Sequence, residues 1–325
     1  MRTKYLFPRY AAALLLGLMA LSTLAAPADT WPSRPIRFIV PFGPGGANDL
    51  VARAVAEAVS KQLGQTILVE NKPGAGSVLG ADFVAKAAPD GYTFLTPAGG
   101  VVTNAMIKTK MPYKDEDLVP VAMMSVSPSI IVVPADSPIK DLKGLIAASK
   151  AGAGLNFSTA GTGSTPHFVA EMLKLKSGAK LHIIPYKSGS EGMVAVMGKQ
   201  VDVTSEASVV VLPQVQGGKL RAIASTWSRR IAVLPNLPTA AEQGYPDVLI
   251  GHWSGVFAPR GTPEAILEKM NRAVDAALKS TELRSRLIPQ GIDPVGGTRA
   301  EFVKFLAAEK ARLGPIAKAA DMKED

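Results

Sequence analysis

Residues 36–49 have the sequence IRFIVPFGPGGAND, which identifies the fold class of this chain. Residues 36–41 form an apolar run of strand length that is rich in β-branched side chains, and a glycine-rich turn follows at residues 42–46. A helix is expected to start near Asn48 or Asp49, either of which can cap it, and Gly64 should end it. Strand, glycine loop and helix in that order predict an α/β fold.

The same order is repeated immediately afterwards. Residues 66–70 and 92–95 are predicted as strands, with a helix at residues 77–87 between them. Because each strand is followed by a helix, the strands should be parallel and covered by helices.

A second set of elements begins after a connecting stretch at residues 119–133. Its predicted strands lie at residues 155–158, 182–186, 201–203 and 220–224, and its helices include residues 166–176 and 208–216. Because there is no obvious linker at the midpoint, we interpret the chain as two α/β lobes with a cleft between them. The chain passes from the first lobe to the second and then returns.

The last third returns to the pattern of the first. Residues 253–258 are an apolar segment, and Thr262 as N-cap with Pro263 at N1 should open a helix that runs to about residue 279. Thr298 and Glu301 form a capping box for a terminal helix.

A second glycine loop, NFSTAGTGSTPH at residues 156–167, also follows a predicted strand and opens a helix. Unpaired N–H groups and the positive end of the helix dipole favour an anion at such a place. Neither loop ends in the Lys-Ser/Thr of a phosphate-binding P-loop, and neither has a complete G-x-G-x-x-G. Neutral donors without a fixed Lys or Arg suit a carboxylate better than a polyphosphate.

The first 28 residues read as a secretory signal peptide. Three basic residues precede a short apolar run at residues 11–24, and small residues follow it. This leader holds three of the 36 basic residues and no acidic one, so its removal lowers the net charge from +9 to +6. We therefore expect a periplasmic protein, and without a run of five Lys or Arg we expect no nucleic-acid partner.

Composition excludes several chemistries. The 325 residues include no Cys, which excludes thiolate nucleophiles and Cys-ligated metals, and three scattered His make a metal site unexpected. No G-x-S-x-G or H-E-x-x-H motif occurs. We predict no cofactor and no enzyme, although His167 with Asp202 or Glu206 leaves an exported hydrolase or lyase as an alternative.

Taken together, the motifs resemble those of one family, the extracytoplasmic solute receptors of tripartite tricarboxylate transporters, also called Bug or TctC-type proteins. The similarity spans the chain from about Trp31 onward. The motifs are WPSRPI (31–36), VPFGPGG (40–46) with Asp49 and Arg53, ENKPGAG (70–76), APDGYT (88–93), the loop at 156–167, PYK (185–187), GKQVD (198–202), GKLRA (218–222), LPT (237–239) with Glu242 and Gly244, and AP (258–259) with GTP (261–263).

The resemblance implies a type II-like periplasmic binding protein fold, in which two crossing segments join the lobes around a ligand cleft. It implies lobe one at residues 31–126 plus 251–325 and lobe two at residues 127–250. A small carboxylate would be held by both loops, partly through water, and passed by a monomeric receptor to membrane permease subunits. Residues 203–206, VTSE, depart from the family, which usually carries an aromatic there, so Ser205 and Glu206 are candidates for the selective end.

The predicted ligand-binding residues fall in the two loops and in the stretch after residue 201. They are Phe42, Gly45, Gly46, Ala47, Asn48, Asp49, Ser158, Thr159, Thr162, Gly163, Ser164, His167, Asp202 and Glu206. Asp202 and Glu206 are candidates for a ligand amine or hydroxyl, or else for a structural role. A periplasmic sensor that reports ligand to a signalling partner remains a further alternative.

Overall fold

The computed structural model describes residues 31–324, so the predicted leader at residues 1–28 lies outside the described part. The strands are β1 (Ile36–Val40), β2 (Ile67–Asn71), β3 (Thr93–Leu95), β4 (Leu118–Pro134), β5 (Leu155–Thr159), β6 (Leu181–Pro185), β7 (Val203–Ala207), β8 (Leu220–Ser225), β9 (Gly251–Pro259) and β10 (Asp293–Pro294). The helices are α1 (Ala47–Leu63), α2 (Val78–Ala85), α3 (Gly100–Ile107), α4 (Leu142–Ala151), α5 (Thr165–Ser177), α6 (Gly189–Met197), α7 (Ser208–Gln216), α8 (Glu264–Lys279), α9 (Thr281–Leu287) and α10 (Arg299–Ala319). Within residues 31–324 we find no helix that is both long and apolar enough to cross a membrane.

The strands form two similar half-sheets. In the first, β1 lies between β2 and β3 and is parallel to both, and β3 is antiparallel to β9. In the second, β5 lies between β6 and β7 and is parallel to both, and β7 is antiparallel to β4. The prediction of parallel strands with covering helices is therefore confirmed.

Strand β4 connects the two halves. Its amino-terminal part pairs with β9, and its carboxyl-terminal part pairs with β7 and β8. Seventeen residues long and buried almost throughout, it runs along the middle of the sheet. Strands β4 and β9 are thus the segments through which the chain passes from one half to the other and back.

Helix α1 shows why the opening stretch folds as it does. Val51, Val55 and Val59 recur every four residues and are buried against the first half-sheet, where Phe38 and Phe94 meet edge to face at 6.1 Å between ring centroids. The helix ends as predicted at Gly64, whose φ of +65° is the left-handed conformation that glycine adopts without a steric penalty.

Two segments differ from the sequence prediction. Residues 119–133 are the greater part of a strand and not only a connection, because a run buried on both faces shows no alternation that would identify it. Strand β7 occupies Val203–Ala207 and not residues 201–203, because Thr204, Ser205 and Glu206 are buried polar residues that a hydrophobic pattern does not reveal.

Two predicted caps are wrong and one is confirmed. Gly46 is the N-cap of α1, so neither Asn48 nor Asp49 caps it. Thr262 does not cap α8, because its hydroxyl donates to the Pro259 carbonyl while Pro263 is the N-cap. Thr298 forms the expected capping box with Glu301 at the start of α10.

Candidate functional site

Each glycine loop follows the middle strand of its half-sheet. The first joins β1 to α1 and the second joins β5 to α5. In sheets of this kind, ligands bind outside the carboxyl ends of the parallel strands, where helix N-termini also point. The two loops therefore occupy corresponding places in the two halves.

The first loop is shaped by a glycine that bonds to a side chain in the helix. Gly45 has φ of +80°, and its N–H donates to the Asp49 carboxylate at 2.9 Å. Asn71 donates its amide both to Asp49 and to the Phe42 carbonyl, at 2.8 and 3.0 Å. The loop is thereby fixed at Gly45 by Asp49 and at Phe42 by Asn71, and these two side chains are bonded to each other.

Asp49 is held ionised inside the protein. Its side chain is buried and also accepts a hydrogen bond from Arg53 at 3.0 Å. Burial raises the pKa of this carboxyl, but the bonds from Arg53, Gly45 and Asn71 outweigh that effect and lower the pKa below its usual value. Both carboxylate oxygens therefore accept hydrogen bonds from within the protein.

The first turn of α1 leaves donors unused. No side chain caps this helix at Gly46, and the N–H groups that begin at Ala47 have no acceptor inside the helix. The Asn48 amide donates to the Thr96 carbonyl at 2.6 Å, while its Oδ1 is buried without a hydrogen-bond partner. This loop therefore offers a ligand backbone N–H donors and one unpaired amide oxygen.

The second loop has the same design with different side chains. The Gly163 N–H donates to His167 Nδ1 at 3.2 Å, and His167 Nε2 lies 3.8 Å from the carboxylate of Glu171. Lys174 also contacts Glu171, at 2.8 Å. Burial raises the pKa of Glu171, but His167 and Lys174 outweigh it and lower the pKa. Like Asp49, His167 holds a loop N–H from the helix.

Hydroxyl groups dominate the second loop. Ser158 and Ser164 donate to the carbonyls of Gly192 and Gly161, so both are engaged inside the protein. Thr159 Oγ1 is buried without a hydrogen-bond partner, and Thr162 is half-buried. No side chain caps α5 at its N-cap Ser164, and Pro166 at the second helical position removes one N–H from the first turn.

Helix α3 of the first half contacts the second loop. Thr103 donates its hydroxyl to the Gly163 carbonyl at 3.1 Å, in a buried position. Ile107 packs so closely that a methyl group added at Gly163 would lie 2.1 Å from its Cδ1. The N–H of Gly163 is therefore bonded to His167 of the second half, and its carbonyl is bonded to Thr103 of the first half. The two halves are in contact at this loop.

Asp202 immediately precedes β7, whereas Glu206 lies near its carboxyl end. Asp202 accepts a hydrogen bond from the Asn156 N–H at 2.7 Å, at the amino end of β5 and away from the turn that follows this strand. Glu206 lies at the carboxyl end, on the edge where the second glycine loop also lies, and is 7% exposed. Only Glu206 is therefore positioned with the loop residues.

The catalytic alternative finds no matching arrangement. His167 faces Gly163 and Glu171, and neither Asp202 nor Glu206 contacts it in the described chain. Among residues 31–324 no group of three or more His, Asp or Glu is placed to hold a metal ion.

Three residues important for the geometry were not predicted to take part. Asn71 donates a hydrogen bond to the first loop, Thr103 donates one to the second loop, and Gly189 lies against Glu206. Asn71 is part of the ENKPGAG motif, which was the available signal. Thr103 and Gly189 act across long sequence separations, which a single sequence does not reveal.

Comparison with known proteins identifies the family. Residues 51–322 match the model of the tripartite tricarboxylate transporter family receptor. Protein BugT of Bordetella pertussis is 38% identical over 304 residues, which cover 92% of this chain and 93% of BugT.

Solved structures agree with that assignment. The periplasmic binding protein BugD superposes with a TM-score of 0.82 at 31% identity, over 91% of this chain and 100% of BugD. Rpa4515 of R. palustris, solved with adipate, gives 0.84 at 31% identity over 90% of this chain and 98% of Rpa4515. MatC of Rhodopseudomonas palustris, with bound malate, gives 0.80 at 32% identity over 88% of this chain and 99% of MatC. The chain belongs to the tripartite tricarboxylate transporter receptor family and has the periplasmic binding protein fold.

Proposed function

We propose that this receptor, as a member of that family, binds a small carboxylated organic solute between its two glycine loops and delivers it to permease subunits in the membrane. The observation that carries the proposal is a matched pair of helix N-termini. Each lacks a side-chain cap, each follows the middle strand of a half-sheet, and each has a buried polar atom without a partner nearby, Asn48 Oδ1 or Thr159 Oγ1. Buried polar atoms that lack a partner in the protein are typical of places where ligand or water completes the bonding.

The chemistry of the loops favours a carboxylate. Both N-termini supply neutral N–H donors and the positive end of a helix dipole, and the second loop adds hydroxyl groups. Hydrogen bonds to a charged group contribute about 1.5–3 kcal/mol each, so three to five of them support affinity near the micromolar range. The relatives crystallised with adipate and malate carry ligands of this class.

The contacting residues in this proposal are a subset of those predicted from sequence. In the first loop they are Gly45, Gly46, Ala47 and Asn48, with Phe42 beside them; in the second they are Ser158, Thr159, Thr162, Gly163 and Ser164. Asp49 and His167 act as positioning residues, because their hydrogen bonds go to the loop backbone and to Arg53 or Glu171. The protein itself performs no chemistry on the solute.

We divide the chain for this function into lobe one, residues 31–126 with 251–325, and lobe two, residues 127–250. The change of pairing partners along β4, from β9 to β7 and β8, supports a division within that strand. Closure of the lobes on the solute would create the form that the permease recognises.

A ligand screen tests the proposal. Purified protein should show a raised melting temperature and a calorimetric binding signal with a subset of mono-, di- and tricarboxylates, and native mass spectrometry should identify a retained organic acid. Binding of inorganic phosphate or a neutral sugar, with no response to any carboxylate, would contradict the proposed ligand class.

Localisation and assembly have tests of their own. The periplasmic fraction should contain a monomeric protein whose amino terminus begins near residue 28, as established by intact mass and light scattering. A full-length chain retained in the cytoplasm would contradict the proposed export.

A further inference from the structure

One carboxyl group near the second loop, that of Glu206, has few partners among the described residues. Glu206 lies at the carboxyl end of β7, next to β5, in the register that places Thr204 beside Ser158. It is 7% exposed, and among the described residues the one hydrogen bond to its carboxyl is a long one, 3.4 Å, from the N–H of its neighbour Ala207 to Oε2. No described residue donates a hydrogen bond to Oε1.

The other two buried carboxylates of the site have strong hydrogen-bond or charged partners. Asp49 accepts bonds from Gly45, Arg53 and Asn71, and Glu171 contacts His167 and Lys174. A buried charge without such partners costs stability, and natural proteins seldom retain one without a function. Glu206 therefore differs from both in having no cation and no strong donor beside it.

The backbone comes very close to this carboxyl. A methyl group added at Gly189, the first residue of α6, would lie 1.8 Å from Glu206 Oε1, so a larger residue there would displace the Glu206 carboxyl. The neighbouring strand β4 contributes Ile130 opposite Glu206. The charged residues nearest the start of α6, Lys187 and Glu191, are exposed, and the Lys187 N–H donates to the Glu191 carboxylate at 3.2 Å.

Burial also changes the acidity of the group. Loss of water raises the pKa of Glu206 to about 7, against only weak opposition from the Ala207 N–H. At neutral pH a nearby cation would therefore convert the carboxyl to its ionised form and be bound by it.

We infer that Glu206 is a specificity-determining residue that accepts a hydrogen bond from an ammonium group of the ligand, so that the preferred solutes are amino-substituted organic acids. This inference rests on the proposed function, in which the glycine loops hold the ligand carboxylate. An ammonium supplies both the donor that Oε1 lacks and the positive charge that its surroundings lack. A hydroxyl would supply only the first, and a second ligand carboxylate neither.

Matched ligands test the inference. Calorimetry at pH 8 would compare unsubstituted, 2-hydroxy and 2-amino acids of equal chain length, for example succinate, malate and aspartate among diacids of three to six carbons. The amino member should bind most tightly, and Glu206→Gln should weaken its binding by about 30-fold or more while leaving the unsubstituted acid within about threefold. Glu191→Gln, which alters an exposed acid of the neighbouring helix, should leave all affinities unchanged.

The pH dependence gives a second measurement that needs no variant. Affinity of the wild-type protein for the amino acid should rise as pH increases through about 7, because Glu206 ionises there while the ammonium keeps its proton. A preference that survives Glu206→Gln, or an unsubstituted diacid that binds best and more weakly at high pH, would overturn the inference in favour of another role. If no acid of any series binds, the proposed function fails as well.

Discussion

The two glycine loops are built on one plan with different side chains. In each, a glycine N–H donates to a side chain four residues later, and that side chain contacts a charged residue four residues further on: Gly45, Asp49 and Arg53 in the first loop, Gly163, His167 and Glu171 in the second. In the first half the acidic Asp49 contacts the basic Arg53, and in the second half His167 contacts the acidic Glu171. Both loops have a fixed backbone, and the side chain that fixes it is an aspartate in one loop and a histidine in the other.

The donors offered to a ligand also differ between the halves. The first loop offers the N–H groups of α1 and the Asn48 side chain. The second has Pro166 in the first turn of α5, which removes an N–H, and places hydroxyl side chains around it. The second half alone has a buried, uncompensated carboxyl at the same edge, Glu206. We therefore expect the first loop to act mainly through its backbone and the second to add selectivity.

The largest effect should come from the carboxyl that has no counterpart in the first half. The pKa of Glu206 is raised from 4.5 to about 7 in the folded protein. Between those values the folded state keeps a proton that the unfolded state loses, so stability falls as pH rises from 4.5 to 7. Glu206→Gln should remove this loss, which is about 3 kcal/mol at most.

Urea unfolding at pH 4.5 and pH 8 measures this change. The stability of Glu206→Gln relative to wild type should be greater at pH 8 than at pH 4.5. An unchanged difference at the two pH values would show that Glu206 is already compensated within the protein.

Removal of the residue that fixes each loop compares the two designs directly. Asp49→Ala leaves the Gly45 N–H and the Asn71 amide without their acceptor and should lower the free energy of unfolding by about 2–3 kcal/mol. His167→Ala removes one longer bond and should cost about 1 kcal/mol.

Acid titration separates the two residues further. Because the pKa of Asp49 is lowered in the folded protein, its contribution is present above the unfolded value near 3.8 and is lost as pH falls below it. The stability difference between wild type and Asp49→Asn should therefore shrink in acid. Equal costs for Asp49→Ala and His167→Ala would refute the distinction between an anchor with several short hydrogen bonds and an anchor with one longer bond.

Substitution of the loop glycines should cost less than loss of the Asp49 anchor. Both have positive φ, +80° at Gly45 and +73° at Gly163, but only Gly163 has a neighbour, Ile107, within 4 Å of an added methyl group. Gly45→Ala should cost about 1 kcal/mol through backbone strain, and Gly163→Ala about 2 kcal/mol because Ile107 must also move. Chemical denaturation of both variants measures the difference, and a costlier Gly45→Ala would show that contact with α3 is unimportant.

Much of this architecture is predictable from local sequence. The order strand, glycine loop and helix at residues 36–64, the terminal capping box at Thr298 and the place of both loops follow from short-range patterns that the structure confirms. Periodicity and turn chemistry act within a few residues, so a single sequence reveals them.

Contacts over long separations are what the sequence does not reveal. Asp49 appears in the sequence as a candidate ligand contact, but Asn71 and Arg53 engage its oxygens. Asp202 and Glu206 appear equivalent in the sequence, but in the structure Asp202 precedes β7 and Glu206 lies near its carboxyl end. In both cases the decisive partner comes from pairing and packing, and no local motif encodes it.

The substitution Ala47→Pro removes one backbone donor of the first loop without changing a side-chain function. Ala47 is the first residue of α1, where proline is tolerated, and the preceding Gly46 is extended with ψ of 166°, as a residue before proline must be. Ala47→Pro should leave the free energy of unfolding within about 0.5 kcal/mol of wild type and weaken binding of the retained carboxylate by roughly 10- to 100-fold. Ala47→Ser, which keeps the N–H, should bind like wild type in the same calorimetric experiment. Wild-type affinity in a well-folded Ala47→Pro protein would contradict the claim that the helix N-terminus of the first loop holds the carboxylate.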